Sequence, residues 1–256
     1  MLVDKERPGF IGVRSGPLLS WLEVGVRRAP GCSGSHQEVF VIPRIDVKVD
    51  PSFPDGVPMC MPAEDEISEE GYGFFRGVWD ISGVTHEVAR AIVEEERHLA
   101  HLADQVSTTS EEFEAVASAV EEGDPDSLPA GFAERHPGSE ILEIVGDGDR
   151  EEGVLDGLEI GVAGLSFALS AIGCFPAASC RSHASGGSWS DRPVVYFAAE
   201  RLTVHWLTPM VRDSGCGFGN GSDRGDLLFV EAPSISSLME LANQILNTVE
   251  RQSYNR

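Results

Sequence analysis

The sequence predicts an α+β fold: a β-rich amino-terminal part, a helical middle, and a carboxy-terminal α/β-layered unit with helices packed on a small mixed sheet. Three observations predict it. Ile45-Asp46-Val47-Lys48-Val49-Asp50 alternates apolar and polar residues, the period of a strand with one wet face. Residues 84–122 change to the period of an amphipathic helix. Beyond residue 154, segments of the two periods follow one another as helix, strand, helix, strand and helix.

Taken in order, Leu18–Val26, Val39–Ile42 and Tyr72–Ile81 are the further strand candidates of the first part, separated by glycine- and proline-rich turns. Pro58–Glu70, acidic and holding two prolines, reads as an exposed loop. Thr85 is placed to cap a helix whose Val88, Ile92, Leu99, Ala103 and Val106 share one stripe. Ser110 begins a second helix with Phe113, Val116 and Val120 on one side. The stretch 123–153 is acidic and broken by glycine and proline, so the organisation expected is a β-rich region with two helices (1–122), a linker (123–153) and a layered domain (154–256).

In that last part, Leu155, Leu158, Val162, Leu165, Leu169 and Ile172 step by threes and fours and predict one long helix. Gly157, Gly161, Gly164 and Ala168 form a stripe of small residues beside it, suited to close backbone approach. Pro193–Ala198 reads as a buried strand and Asp226–Val230 as another, while Glu200–Val211 fits helix or strand, the helix, broken near Pro209, being preferred. A last helix follows from Ser234, where Ile235, Leu238, Ala242, Ile245 and Val249 share a face.

Composition excludes several functions. The 256 residues carry 42 acids against 19 bases, a formal charge of −23, and only Lys5 and Lys48 are lysines. Such a surface repels phosphate, so neither direct nucleic-acid binding nor docking on an anionic membrane is expected. A basic protein partner is the kind it would steer. The charged amino terminus lacks an apolar signal core, and five widely spaced cysteines form no disulfide framework, which together predict a cytoplasmic chain with reduced thiols. Ile160–Cys180 is uncharged and long enough to cross a bilayer, but its glycines, serines and heptad stripe predict a buried helix instead.

Chemistry concentrates in Ser179-Cys180-Arg181-Ser182-His183. Cys180 and His183 have the spacing of a zinc half-site, which Cys174, His205 and Cys216 are the available residues to complete. The same pair also reads as a reactive thiol, with Arg181 and His183 favouring a thiolate at Cys180. The plain structural alternative is a small buried cysteine beside a histidine that hydrogen-bonds its loop. His98 and His101 with Glu87 and Glu94 lie opposite the apolar stripe of their helix and, with Glu95, Glu96 and Arg97 around them, read as a solvated face. The glycines of 215–221 precede a strand rather than a helix, which fits a flexible loop or irregular hairpin and not a phosphate cradle. Asp147, Asp149 and Glu151 imitate a calcium loop but fail at its glycine and its terminal glutamate.

The succession of a helix, Gly173-Cys174-Phe175-Pro176, Ser179–His183 and Pro193–Phe197 resembles uncharacterised bacterial and phage proteins, in which a helix runs into a Ser-Cys-x-Gly-His segment followed by a strand. Ser182 stands where that pattern has glycine. The resemblance implies the layout of the carboxy-terminal half and a phage-associated or stress-related setting, with no activity attached. The function expected is therefore an acidic binding or regulatory protein without catalysis of its own. The alternative is a metal- or thiol-dependent enzyme centred on Cys180 and His183.

Overall fold

A computed structural model describes residues 41–68, 71–76, 81, 83–146, 154–183 and 188–254, all within one compact unit. The architecture is α+β. A hairpin of β1 (Gly71–Tyr72) and β2 (Phe75–Arg76) precedes the helices α1 (His86–Val106) and α2 (Ser110–Glu122) and the short helices α3 (Phe132–Arg135) and α4 (Glu140–Val145). Helix α5 (Ala163–Ala171), strands β3 (Phe175–Cys180) and β4 (Val194–Ala198), helix α6 (Arg201–Asp213), strands β5 (Gly217–Asn220) and β6 (Leu228–Glu231), and helix α7 (Ile235–Tyr254) follow. The main sheet runs β3-β4-β6-β5 and is antiparallel at every pairing, where a mixed sheet was expected.

Strand alternation divides the core into two clusters. Val195, Phe197, Leu228 and Val230 face the helices and join the main core, while Val194, Tyr196 and Ala198 face the opposite side with Ala177, Cys180 and Leu227. The helical side is built on α5, which packs on α1, α7 and β3. Helix α1 starts where Thr85 Oγ1 accepts the Val88 N–H at 3.3 Å, the expected cap. Arg90 ties α1 to α7 through Asn243 (3.1 Å), Asn247 (2.9 Å) and Glu250 (3.1 Å). On the other face Tyr72, with Ile67 and Phe75 packed around it, covers the second cluster.

Several expectations are corrected. Val41–Asp50 keeps its alternation, with Ile45, Val47 and Val49 half-buried and the residues between them exposed, yet it joins no ladder. Its backbone is held by isolated bonds, Ile45 N–H to the Pro233 carbonyl (2.9 Å) and Phe218 N–H to the Asp50 carbonyl (2.8 Å). The stripe predicted as one helix from Leu155 to Ile172 is helical only from Ala163, because Asp156, Gly157 and Gly161 take positive φ values of 51°, 77° and 99°. Leu155, Leu158 and Val162 are nonetheless buried, so turns present the same apolar face that a helix would. Phe175–Cys180, the end of the uncharged stretch expected as a buried helix, is a strand with a register shift between Pro176 and Ala178. Helix α6 runs through Pro209 to Asp213. Residues 123–146, expected within an acidic linker, fold into short helices that bury Phe132, Ile141 and Val145.

The glycine-rich 215–221 segment is one arm of the β5–β6 hairpin. A Cβ at Gly217 would meet the Asp50 backbone at 2.6 Å, and one at Gly219 would enter the Phe229 ring. These glycines serve close packing. The calcium-like acids 147, 149 and 151, together with the Leu18–Val26 strand candidate and Cys32, lie outside the described residues. Among the described residues no helix is long and apolar enough to cross a membrane.

Candidate metal site at the end of strand β3

Strand β3 delivers Cys180, Arg181 and His183 to the edge of helix α2, whose Glu114, Ser118 and Glu121 recur at spacings of four and three residues and so share one face. The turn ahead of α5 adds Glu159. His183 sits between two carboxylates: Nδ1 lies 2.7 Å from Glu114 Oε1 and Nε2 lies 2.8 Å from Glu159 Oε1. The other Glu159 oxygen accepts the Arg181 backbone N–H at 2.7 Å. Each neutral imidazole has one N–H, so two carboxylate neighbours call for a second proton in the triad or for a cation in its place.

Arg181 is 4% exposed, and its guanidinium donates to Glu121 Oε1 and, at 2.8 Å, to Ser118 Oγ. Glu121 also accepts the Ile160 N–H at 2.5 Å. Burial outweighs these partners and pushes the Glu121 carboxyl up to about 7, with the Arg181 charge opposing the rise. A guanidinium so committed is not available to the neighbouring thiol. Cys180 is 1% exposed, and its sulfur lies 3.0 Å from Ser188 Oγ and 3.5 Å from the Ser182 N–H that it accepts. That enclosure does not suit a nucleophile that must meet substrate.

Ser182 has φ of 70°, in the left-handed region where side chains cost about 1–2 kcal/mol. This is the position at which the resembling pattern carries glycine. The chain accepts the strain with a serine, and the turn brings His183 back over Glu159.

Glu159, Cys180 and His183 each present one donor atom within 4.8 Å of the other two, and among the described residues they are the one group of this kind. The five-residue set expected from sequence is thus divided. Cys174 belongs to the main core, where burial pushes its thiol up to about 12. Cys216, also in the main core and also raised to about 12 by burial, donates its S–H to the Ser237 carbonyl at 3.4 Å. His205 is exposed on α6, edge-on to the Phe53 ring at 5.4 Å. Glu159 takes the place beside Cys180 and His183 that sequence spacing assigned to these three, and Glu114 lies against the other ring nitrogen of His183. The recurrence of acid and serine at 114, 118 and 121 beside the Phe113/Val120 stripe marks a polar face of α2 but not its contact with His183.

The helical face around His98 is solvated as expected: His98 pairs with Glu140 at 2.9 Å at an exposed position, and Glu87, Glu94 and His101 are exposed. Glu96 is the correction. It falls on the buried stripe between Val93 and Leu99, is fully buried, and caps α5 by accepting the Gly161 (2.9 Å) and Gly164 (3.0 Å) N–H groups at Oε1. Its Oε2 has no partner, and burial pushes the carboxyl up to about 7 against those two hydrogen bonds.

Beside the Glu159–Cys180–His183 group opens a cleft of about 980 Å³, whose lining includes Ser182, His183, Trp189, Tyr196, Arg224 and Phe229. Comparison of the chain with protein-family models, with curated proteins and with solved structures gives no match.

Proposed function

We propose that this chain is a metal-dependent enzyme, with a zinc ion held by Glu159, Cys180 and His183 at the wall of the cleft. One observation carries the reading: a thiol, an imidazole and a carboxylate, drawn from β3, the turn after it and the turn before α5, converge within 4.8 Å. Bond lengths near 2.3 Å to sulfur and 2.0–2.2 Å to nitrogen or oxygen put tetrahedral zinc ligands roughly 3.3–3.7 Å apart. To hold the ion, the Nε2–Oε1 pair, 2.8 Å apart, would open by about half an ångström, and separations approaching 4.8 Å would close by about an ångström. Glu114 supports the same reading, since its bond to Nδ1 leaves Nε2 for the ion and fixes the ring as outer carboxylates do in histidine zinc sites.

Three protein ligands leave a fourth position for water or substrate, the arrangement of catalytic rather than structural zinc. Bound there, zinc would acidify water and polarise a carbonyl or phosphoryl oxygen. His183, which lines the cleft, puts that position within reach of a ligand. The enclosure of Cys180 argues for a ligand thiolate over a nucleophile.

The second reading is an acidic binding or regulatory protein, supported by the charge of −23. Equilibrium dialysis separates the two. Chelator-stripped protein is expected to take up one zinc per chain, and Cys180→Ala and His183→Ala, verified as folded by circular dichroism, are expected to lose it. Uptake well below one ion, or uptake indifferent to both substitutions, would overturn the metal reading.

A further inference from the structure

The lining of the cleft also holds a cation of unusual setting. The Arg224 guanidinium lies 5.0 Å from the Phe74 ring centroid and 5.7 Å from those of Phe75, Trp189 and Tyr196. Ring faces attract a guanidinium without consuming its N–H donors, which can still bond an oxyanion. The backbone is fixed as well, because Phe74 N–H donates to the Arg224 carbonyl at 2.5 Å. Among the described residues Arg224 has no ion-pair partner, although the chain has 42 acids to offer one. The other guanidinium of the cleft, Arg192, is already neutralised by Asp191 (3.0 Å) and Glu231 (3.0 Å).

We propose that the cleft binds a small organic oxyanion bearing a planar ring, with its carboxylate or phosphate on Arg224 and its ring against Trp189. Trp189 is 45% exposed, so a large apolar face is available for stacking. The volume of about 980 Å³ suits a ligand of metabolite size. The overall charge opposes anions at a distance, so selectivity must come from the short-range bond to Arg224. The inference deepens the metal reading, since a ligand anchored at Arg224 would extend towards His183, but binding itself needs no metal.

The test is calorimetric titration of metal-free protein with 1-naphthoate, 1-naphthyl phosphate and neutral 1-naphthamide. At least one oxyanion is expected to bind saturably and about tenfold or more tightly than the amide, the scale of a charge-assisted hydrogen bond. Which of the two wins identifies carboxylate or phosphate as the anchor. Arg224→Gln is expected to abolish the preference. Equal affinities for acid and amide in the wild-type chain, or no saturable binding of any probe, would overturn the proposal without reference to a variant's folding. Zinc uptake, measured separately, reports on the metal reading alone.

Discussion

Replacing Glu96 with glutamine converts the burial of one carboxylate into a measurable pH dependence. In the unfolded chain this group ionises near 4.5, and in the folded chain it is held up to about 7. Between those values the folded protein keeps a proton that the unfolded chain has released. The stability this confers is therefore full below about pH 4.5 and is lost as pH rises towards and through 7. At 1.36 kcal/mol for each tenfold step, the gap amounts to about 3 kcal/mol by pH 8. The α5 amino terminus favours the ionised form, but such a terminus is worth about 0.3–2 kcal/mol. Desolvation of a buried carboxylate costs several kcal/mol and wins. Glu96→Gln keeps an oxygen for the Gly161 and Gly164 N–H groups and removes the ionisation. Urea unfolding of both chains from pH 4.5 to 8 should show the variant gaining about 3 kcal/mol relative to wild type across that range. Glu121, raised to about 7 in both chains, largely cancels in the difference. A difference between the two chains that stays flat with pH would refute the reasoning.

Arg181→Met leaves Glu121 buried without its cation and should cost about 3–5 kcal/mol at pH 8. That loss should shrink at pH 5.5, where Glu121 takes up a proton; the same urea series reads both. Gly164→Ala places a Cβ against the Glu96 carboxylate and 3.1 Å from Val93 Cγ2. Overpacking of about 1–3 kcal/mol should exceed the helix-propensity gain of up to about 1 kcal/mol, lowering the thermal midpoint. Ser182→Gly relieves the left-handed strain at the turn and, after the added unfolded-state entropy, should stabilise by about 0.5–1 kcal/mol. Glu114→Gln should weaken zinc binding about 10- to 100-fold in competition with a chromophoric chelator, because it loosens the hold on Nδ1.

Helices α1, α2 and α7 were legible because each carries an apolar stripe at helical spacing, and Thr85 marked one start. The same stripe misled at Leu155–Val162, where turns bury the apolar residues that a helix would and only the positive φ values of Asp156, Gly157 and Gly161 betray the difference. Strand β3 was illegible because Pro176 and its run of small residues carry no strand signature; pairing with the apolar β4 creates it. In the site, Cys180 and His183 were visible through local spacing. Glu159 and Glu114 were not, because each reaches His183 across 24 and 69 residues of chain, a contact that only tertiary structure defines. Glu96 had a readable signal that its charged neighbours masked: its position between Val93 and Leu99 belongs to the buried stripe. Residue type suggested solvent, and register placed it in the core.

The metal assignment is tested most directly by cobalt substitution, since a thiolate bound to cobalt gives a charge-transfer absorption that carboxylates and imidazoles do not. That band is expected in the wild-type chain at one equivalent of cobalt, with its loss in Cys180→Ser and its retention in Cys174→Ser and Cys216→Ser. A band that survives Cys180→Ser, or a wild-type chain that never shows one, would contradict the assignment.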